Sequence, residues 1–141
     1  MRAVIDTCVI MDAIQNREPF AEDAKAIFRA AANKWFAACI TAKSVTDIYY
    51  LTHRCTHSDK DTRTILTKLF ILFDVLDTAG MDARRAISSN ISDYEDAVMI
   101  ETAIREEADC IVTRNVKDYS LSSVPIYSPS DFLKLLEGDI N

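Results

Sequence analysis

RAVIDTCVIMDAIQ, residues 2–15, changes character at a single acid. The β-branched run before it reads as a buried strand over 2–6 that stops at Asp6. The segment from Cys8 to Gln15 then reads as a short helix. A strand apolar on both faces that passes at once into a helix is the unit from which parallel α/β sheets are built. Whether the fold is of that kind depends on how often the switch recurs downstream.

It recurs along the whole chain. Further buried strands read as WFAACIT (35–41), FDVLDT (73–78) and CIVT (110–113), with a weak fifth at PIY (125–127). Between them lie helical patterns. Pro19 opens one over 19–34, where Ala24, Ile27, Phe28 and Ala31 recur at helical spacing. A second runs from about Ala42 to Arg54, with Val45, Ile48, Leu51 and Cys55 as its stripe. A third, capped by Asp59 or Asp61, carries Ile65, Leu69 and Leu72. A short helix over 80–88 leads through SSNIS into ISDYEDAVMIETA (91–103), and SPSDFLKLLE closes the chain with Ser128 or Ser130 as cap. Strands alternating with helices predict a parallel sheet covered on both faces, a three-layer α/β sandwich. No repeat, low-complexity tract or linker interrupts residues 1–141, so one domain is expected.

Composition narrows the function classes. The chain has 141 residues, is 49% hydrophobic and holds only 2 Gly and 3 Pro, which argues against disorder. That length hides roughly 70% of the unfolded chain's surface. The 22 acids against 16 bases give a net charge of -6. A bare electrostatic grip on nucleic acid is usually basic, so an acidic chain fits a cation-bearing site better. The four cysteines, Cys8, Cys39, Cys55 and Cys110, form no CxxC pair and have no His at zinc spacing. They read as reduced, mostly buried thiols of a cytoplasmic protein. No signal peptide is read at the N-terminus, and no apolar run approaches ~18 residues, so no membrane contact is expected.

In an open α/β sheet, ligands bind beyond the carboxyl ends of the strands. Strand one ends in Asp6-Thr7. Strand two runs into a helix that carries Asp47 beside its apolar stripe. Strand four ends in Thr113-Arg114-Asn115, with Lys117 and Asp118 just after. Each has an ordinary reading: Asp6 as a helix cap, Asp47 as an exposed helix acid, Asn115 as a turn residue, Asp118 as a loop acid, Thr7 and Thr113 as strand-end threonines. In ISDYEDAVMIETA, Ser92 and Glu95 match the capping box S-x-x-E. Asp93 then sits at the first helical position, where the helix dipole favours an acid by roughly 0.3–1 kcal/mol. Asp96 is left over, in line with Ile100 and Ala103 on the edge that packs on the sheet. Acids this close repel; two unit charges ~4 Å apart cost about 4 kcal/mol at an effective dielectric near 20. Divalent cations compensate, and an all-oxygen donor set selects Mg²⁺ or Mn²⁺. A metal-bridged carboxylate cluster suits phosphodiester hydrolysis. Arg114 and Lys117 are candidates for phosphate contact.

VIDTCVIMD, the acid in SVTDIYYL, DYEDAVMIETA and CIVTRNVKDY occur in an order and spacing that resemble the PIN-domain ribonucleases, of the kind found as VapC-type toxins in toxin–antitoxin pairs. The resemblance spans essentially the whole chain. It implies a five-stranded parallel sheet of order 3-2-1-4-5 and Mg²⁺- or Mn²⁺-dependent cleavage of RNA. Asp6 and Asp96 match the family's central metal ligands. Asp47 stands where the family usually has Glu or Asp, and Asn115 and Asp118 fall in the segment that supplies a fourth acid. The implied roles are direct metal binding by Asp6 and Asp96 with help from Asp118. Asp47 would orient the nucleophilic water or a second ion, Asp93 would support from outside the ligand set, and Thr7 and Thr113 would fix a ligand at the strand ends. Three positions depart from the pattern: Cys8 replaces a common Asn, Asp47 is a methylene shorter than Glu, and Asn115 stands where many members have Asp. A toxin would have a cognate antitoxin, and homodimers are the family tendency.

Two rival readings follow from the same residues. One is a non-catalytic PIN-like module that binds RNA or protein with an eroded metal site. The other is a receiver-type phospho-acceptor. Asp77 offers such a domain its acceptor acid, but PIYSP supplies no Lys after the fifth strand.

Overall fold

A computed structural model describes residues 1–140. Five strands form one parallel sheet: β1 (Arg2–Ile5), β2 (Ala37–Thr41), β3 (Asp74–Leu76), β4 (Cys110–Val112) and β5 (Ile126–Tyr127), in the order β3-β2-β1-β4-β5. The registers Ala3↔Ala38 and Ala3↔Cys110 place β1 at the centre, paired on both sides. The order reverses there. The chain builds outward through β2 and β3, then returns to lay β4 on the other flank of β1. Such a reversal opens a crevice at the carboxyl ends of the two central strands.

Side-chain alternation divides the core. Ala3 and Ile5 of β1, Ile40 of β2 and Val112 of β4 face one layer, made by α1 (Thr7–Ile14), α2 (Ala21–Ala32), α3 (Ala42–Thr56), α4 (Asp59–Leu72) and α7 (Pro129–Ile140). Val4, Cys39 and Ile111 face the other, where Met99, Ile100 and Ala103 of α6 (Tyr94–Arg105) pack with Tyr119 of a 3₁₀ turn, Val116–Tyr119. Both faces of the central strands are fully buried, which is why they read as unbroken apolar runs. α5 (Gly80–Ala86) packs behind α6. There Asp82, 1% exposed, receives the Arg105 guanidinium, the Thr102 hydroxyl and the Ala79 N–H. Burial alone would raise the Asp82 carboxyl, but these donors outweigh it and hold the group below the ordinary range.

Several boundaries differ from the sequence expectation, each for a local reason. The helix expected from Pro19 starts at Ala21, because the Phe20 N–H closes a turn on the Arg17 carbonyl first. β2 starts at Ala37 rather than 35. Lys34 adopts φ 58°, and the N–H groups of Lys34 and Trp35 cap the carbonyls of Ala31 and Ala30, so those residues finish α2. Ser58, not Asp59 or Asp61, caps α4 by accepting the Asp61 N–H. The inward line of α3 is Ser44, Ile48 and Thr52, with Val45 and Leu51 at its margins and Cys55 exposed. Small polar residues can lie on that line because they are satisfied; the Ser44 hydroxyl meets the Thr41 hydroxyl at 2.9 Å. Cys39 and Cys110 are buried and Cys8 half-buried, and all four cysteines are free.

Candidate functional site

β1 ends by handing its ladder to Asp6, whose N–H bonds the Val112 carbonyl at 2.9 Å. The side chain then turns to cap α1, Oδ1 accepting the Thr7 N–H at 2.8 Å. The capping role is therefore real, and it uses only one carboxylate oxygen. The other, Oδ2, accepts the Thr113 hydroxyl at 2.7 Å and lies 3.6 Å from the Cys8 thiol. Burial and then the Asp6 charge push the Cys8 thiol up to about 11, so it stays protonated and faces Asp6 as a weak donor. Cys8 thus stands beside the carboxylate where a longer polar side chain was expected.

The stretch ISDYEDA settles differently from its expected reading. Asp93, not Ser92, is the N-cap of α6; its Oδ1 accepts the Asp96 N–H at 3.1 Å. S-x-x-E and D-x-x-D overlap here, one residue apart. The second phase buries Ala97, Val98 and Ile100 and turns Asp96 toward the sheet. Glu95 serves no cap. Its carboxylate lies 3.0 Å from the Lys43 ammonium.

Asp6 and Asp96 are joined by a residue the acid pattern did not single out. The Tyr119 hydroxyl donates to Asp96 Oδ1 at 2.8 Å and lies 3.4 Å from Asp6 Oδ2. The turn Val116–Tyr119 carries this ring, 1% exposed, under the crevice while leaving Asp118 exposed at the rim. Burial, then the charges of Asp6 and Asp96, drive the phenol far above its ordinary range, so it remains a donor. Asp96 is pushed up to about 6. Burial is the main cause, the Tyr119 bond opposes it, and the charges of Asp93, Asp6 and Asp118 add to it.

Above these residues lies a cleft of about 340 Å³, lined by Asp6, Thr7, Lys43, Asp47, Glu95 and Asp96 among others. Asp47 reaches it from α3, one turn after Lys43, whose ammonium it holds at 2.6 Å. Tyr50 and Arg54 continue the same wall; Tyr50 is 65% exposed, and Arg54 is exposed without an ion-pair partner among the described residues. Asn115 and Lys117 are exposed beyond the strand ends. Arg114 is committed elsewhere. It grips buried Asp12 through Nε at 2.8 Å and Nη2 at 3.1 Å and stacks over the Phe20 ring at 4.2 Å.

The structure therefore unites Asp6, Thr113, Tyr119 and Asp96, with Thr7 and Asp47 on the cleft wall and Asp93 as cap. Asp118 is near enough to act on Asp96 by charge. No group of three or more His, Cys, Asp or Glu is drawn together at metal-binding distance among the described residues. The chemistry of Asp6 and Asp96 nonetheless fits a divalent cation. Both offer oxygen, the donor type of hard ions, and their carboxylates converge on the one Tyr119 hydroxyl at the sheet crevice. Lys43, Tyr50, Arg54 and Tyr119 were absent from the sequence-based set. Tyr50 and Arg54 could have been found by their helical spacing from Asp47; Tyr119 ends the segment CIVTRNVKDY but was passed over because only its charged and small polar residues were weighed.

A family model described as PIN domain matches residues 2–117. Among curated proteins no relative matches the chain. Solved structures with the same fold include a toxin–antitoxin complex from Klebsiella pneumoniae, 21% identical, with TM-score 0.67 over 90% of this chain and 97% of that one. DNA-bound VapBC from Salmonella typhimurium is 15% identical, with TM-score 0.68 over 92% and 98%. FitAcB from Neisseria gonorrhoeae is 16% identical, with TM-score 0.66 over 91% and 98%.

Proposed function

The chain belongs to the PIN-domain family, whose members are generally nucleases, and from that premise we propose that it is a divalent-metal-dependent endoribonuclease. The observation that carries the reading is the convergence of Asp6 and Asp96 on the Tyr119 hydroxyl, at the crevice between β1 and β4. Asp6 and Asp96 would hold Mg²⁺ or Mn²⁺ directly, with Asp118 assisting from the rim. Bound there, the ion supplies Lewis acidity that makes a water nucleophilic and steadies the oxygens of the phosphodiester.

The rest of the work falls to the chain's own groups. Thr7 N–H and the Thr113 hydroxyl fix the two oxygens of Asp6. The Tyr119 hydroxyl fixes Asp96, as partners behind a metal ligand commonly do. Asn115 N–H in turn holds the Thr113 hydroxyl at 3.1 Å. Asp47, anchored by Lys43, faces the cleft where it orients water. Arg54 and Tyr50 present a cation and a ring to RNA along the wall, and Lys117 offers a second phosphate contact from the rim.

One domain spanning 1–141 and a cytoplasmic location accompany this reading; no described helix is long and apolar enough to cross a membrane. The neighbour named as a toxin–antitoxin complex supports a toxin role with a cognate antitoxin, and self-association into a homodimer is part of the same proposal. The exposed position of Asp118 favours one rival, a non-catalytic RNA- or protein-binding module. The decisive experiment is incubation with RNA and Mn²⁺, with and without chelator, beside Asp6→Asn. Cleavage abolished by both treatments is expected, and cleavage indifferent to both sinks the metal mechanism. A protein that binds RNA but neither Mn²⁺ nor cleaves supports the rival.

A further inference from the structure

We propose that Lys43 is a built-in cation occupying the place of a second metal ion, so that this cleft takes one divalent ion only. The inference rests on the metal-dependent reading of the same cleft.

Four acids line the cleft: Asp6, Asp47, Glu95 and Asp96. They fall into two pairs. Asp6 and Asp96 share the Tyr119 hydroxyl. Asp47 of α3 and Glu95 of α6 share the Lys43 ammonium, at 2.6 and 3.0 Å. One nitrogen thus bridges carboxylates from two helices, as a bound cation would.

Local helix chemistry does not account for a lysine here. Lys43 is the second residue of α3, where the helix dipole presents positive charge and disfavours a cation. Lys placed four residues before Asp is also the poorer order for such a pair on a helix. The Lys43 N–H is held by the Thr78 hydroxyl at 3.2 Å, which fixes the point from which the side chain enters the cleft. Asp47 on the same helix, at 2.6 Å, and Glu95 reaching across from α6, at 3.0 Å, together favour the charge. A locally unfavourable residue that is rescued by a cleft partner is characteristic of a functional position.

The charges favour one metal beside the ammonium. A single ammonium between Asp47 and Glu95 leaves that pair short of one positive charge, while Asp6 and Asp96 together carry what one divalent ion neutralises. A second divalent ion at Asp47 and Glu95 would have to expel the ammonium or sit against it, and like charges within a few Å repel by several kcal/mol.

The test is metal stoichiometry rather than turnover. Mn²⁺ is titrated calorimetrically into the full chain, wild type and Lys43→Gln, with cooperative thermal melting of each confirmed first. Wild type is expected to bind one ion and Lys43→Gln two, with Lys43→Gln/Asp47→Asn returning to one. Two ions in wild type, or one in both wild type and Lys43→Gln, overturns the role of Lys43 and leaves the nuclease reading standing. No ion in wild type overturns both.

Discussion

Asp6 and Asp96, ninety residues apart in the chain, meet on one oxygen: the Tyr119 hydroxyl lies 3.4 Å from the first carboxylate and 2.8 Å from the second. Tyr119→Phe keeps the buried ring and removes the hydroxyl with its bridge to the two carboxylates and its weak contact to the Met99 sulfur at 3.7 Å. The variant is expected to fold and to lose Mn²⁺ affinity by about 10–100-fold, the usual effect of deleting a partner behind a metal ligand. Calorimetric titration beside the melting curve checks this. Unchanged affinity would show that the phenol is packing alone.

The half-buried Asp96 carboxyl sits at about 6 instead of 3.8, through burial and the neighbouring charges of Asp93, Asp6 and Asp118, against the Tyr119 bond. A carboxyl raised by folding resists ionisation in the native state. Its contribution to stability is whole below pH ~4 and lost as pH rises through about 6. Metal-free wild type should therefore lose stability relative to Asp96→Asn as pH rises from about 4 to about 6.5, by on the order of 1–2 kcal/mol after solvent screening, and change little above that. Mn²⁺ binds the ionised form and should reverse the loss in wild type only. Melting temperatures across that range, with and without Mn²⁺, provide the comparison; a constant difference between the two proteins contradicts the assignment.

Tyr50 and Arg54 stand one helical turn apart on the cleft wall. Stacking of a base on Tyr50 is worth about 1–3 kcal/mol, so Tyr50→Ala should weaken binding of a single-stranded oligonucleotide roughly 5–150-fold while Tyr50→Phe retains it. Arg54→Gln should reduce the salt slope of binding by about 1, as expected for one lost phosphate contact. Anisotropy titrations in chelator, across salt concentrations, separate the two effects from cleavage.

α7 lies beyond the matched residues 2–117 yet belongs to the main core. Phe132 is fully buried and packs edge-on against Phe36, with centroids 4.9 Å apart. Phe132→Ala is expected to cost about 3–5 kcal/mol. Urea denaturation measures it, and a single transition shifted by less than ~1 kcal/mol would mean that α7 is an appendage.

The parallel α/β layering and the pair Asp6/Asp96 were legible because they depend on features a linear pattern carries: apolar runs, acids at strand ends, and helical phase; the strand order came only from the resemblance of the motifs to the PIN-domain ribonucleases. The cap of α6 was misplaced because Ser92/Glu95 and Asp93/Asp96 have equal spacing; only burial of Ala97 and Ile100 chooses between them. The inner line of α3 was misread for a related reason. Ser44 and Thr52 are polar by type and apolar in role once their hydroxyls find partners. Tyr119 was passed over within CIVTRNVKDY because an aromatic residue there reads as packing until its hydroxyl is placed against Asp96. Lys43 was not singled out because its second partner, Glu95, comes from another helix.

The crevice at β1 and β4 has a temporal consequence. Asp6 precedes by 113 residues the phenol that joins it to Asp96, so it is always synthesised before its partner. Every shorter nascent chain lacks the completed centre, however well its early helices form. A chain cut before that turn would lack the phenol between Asp6 and Asp96, so the proposed metal centre would be incomplete in it.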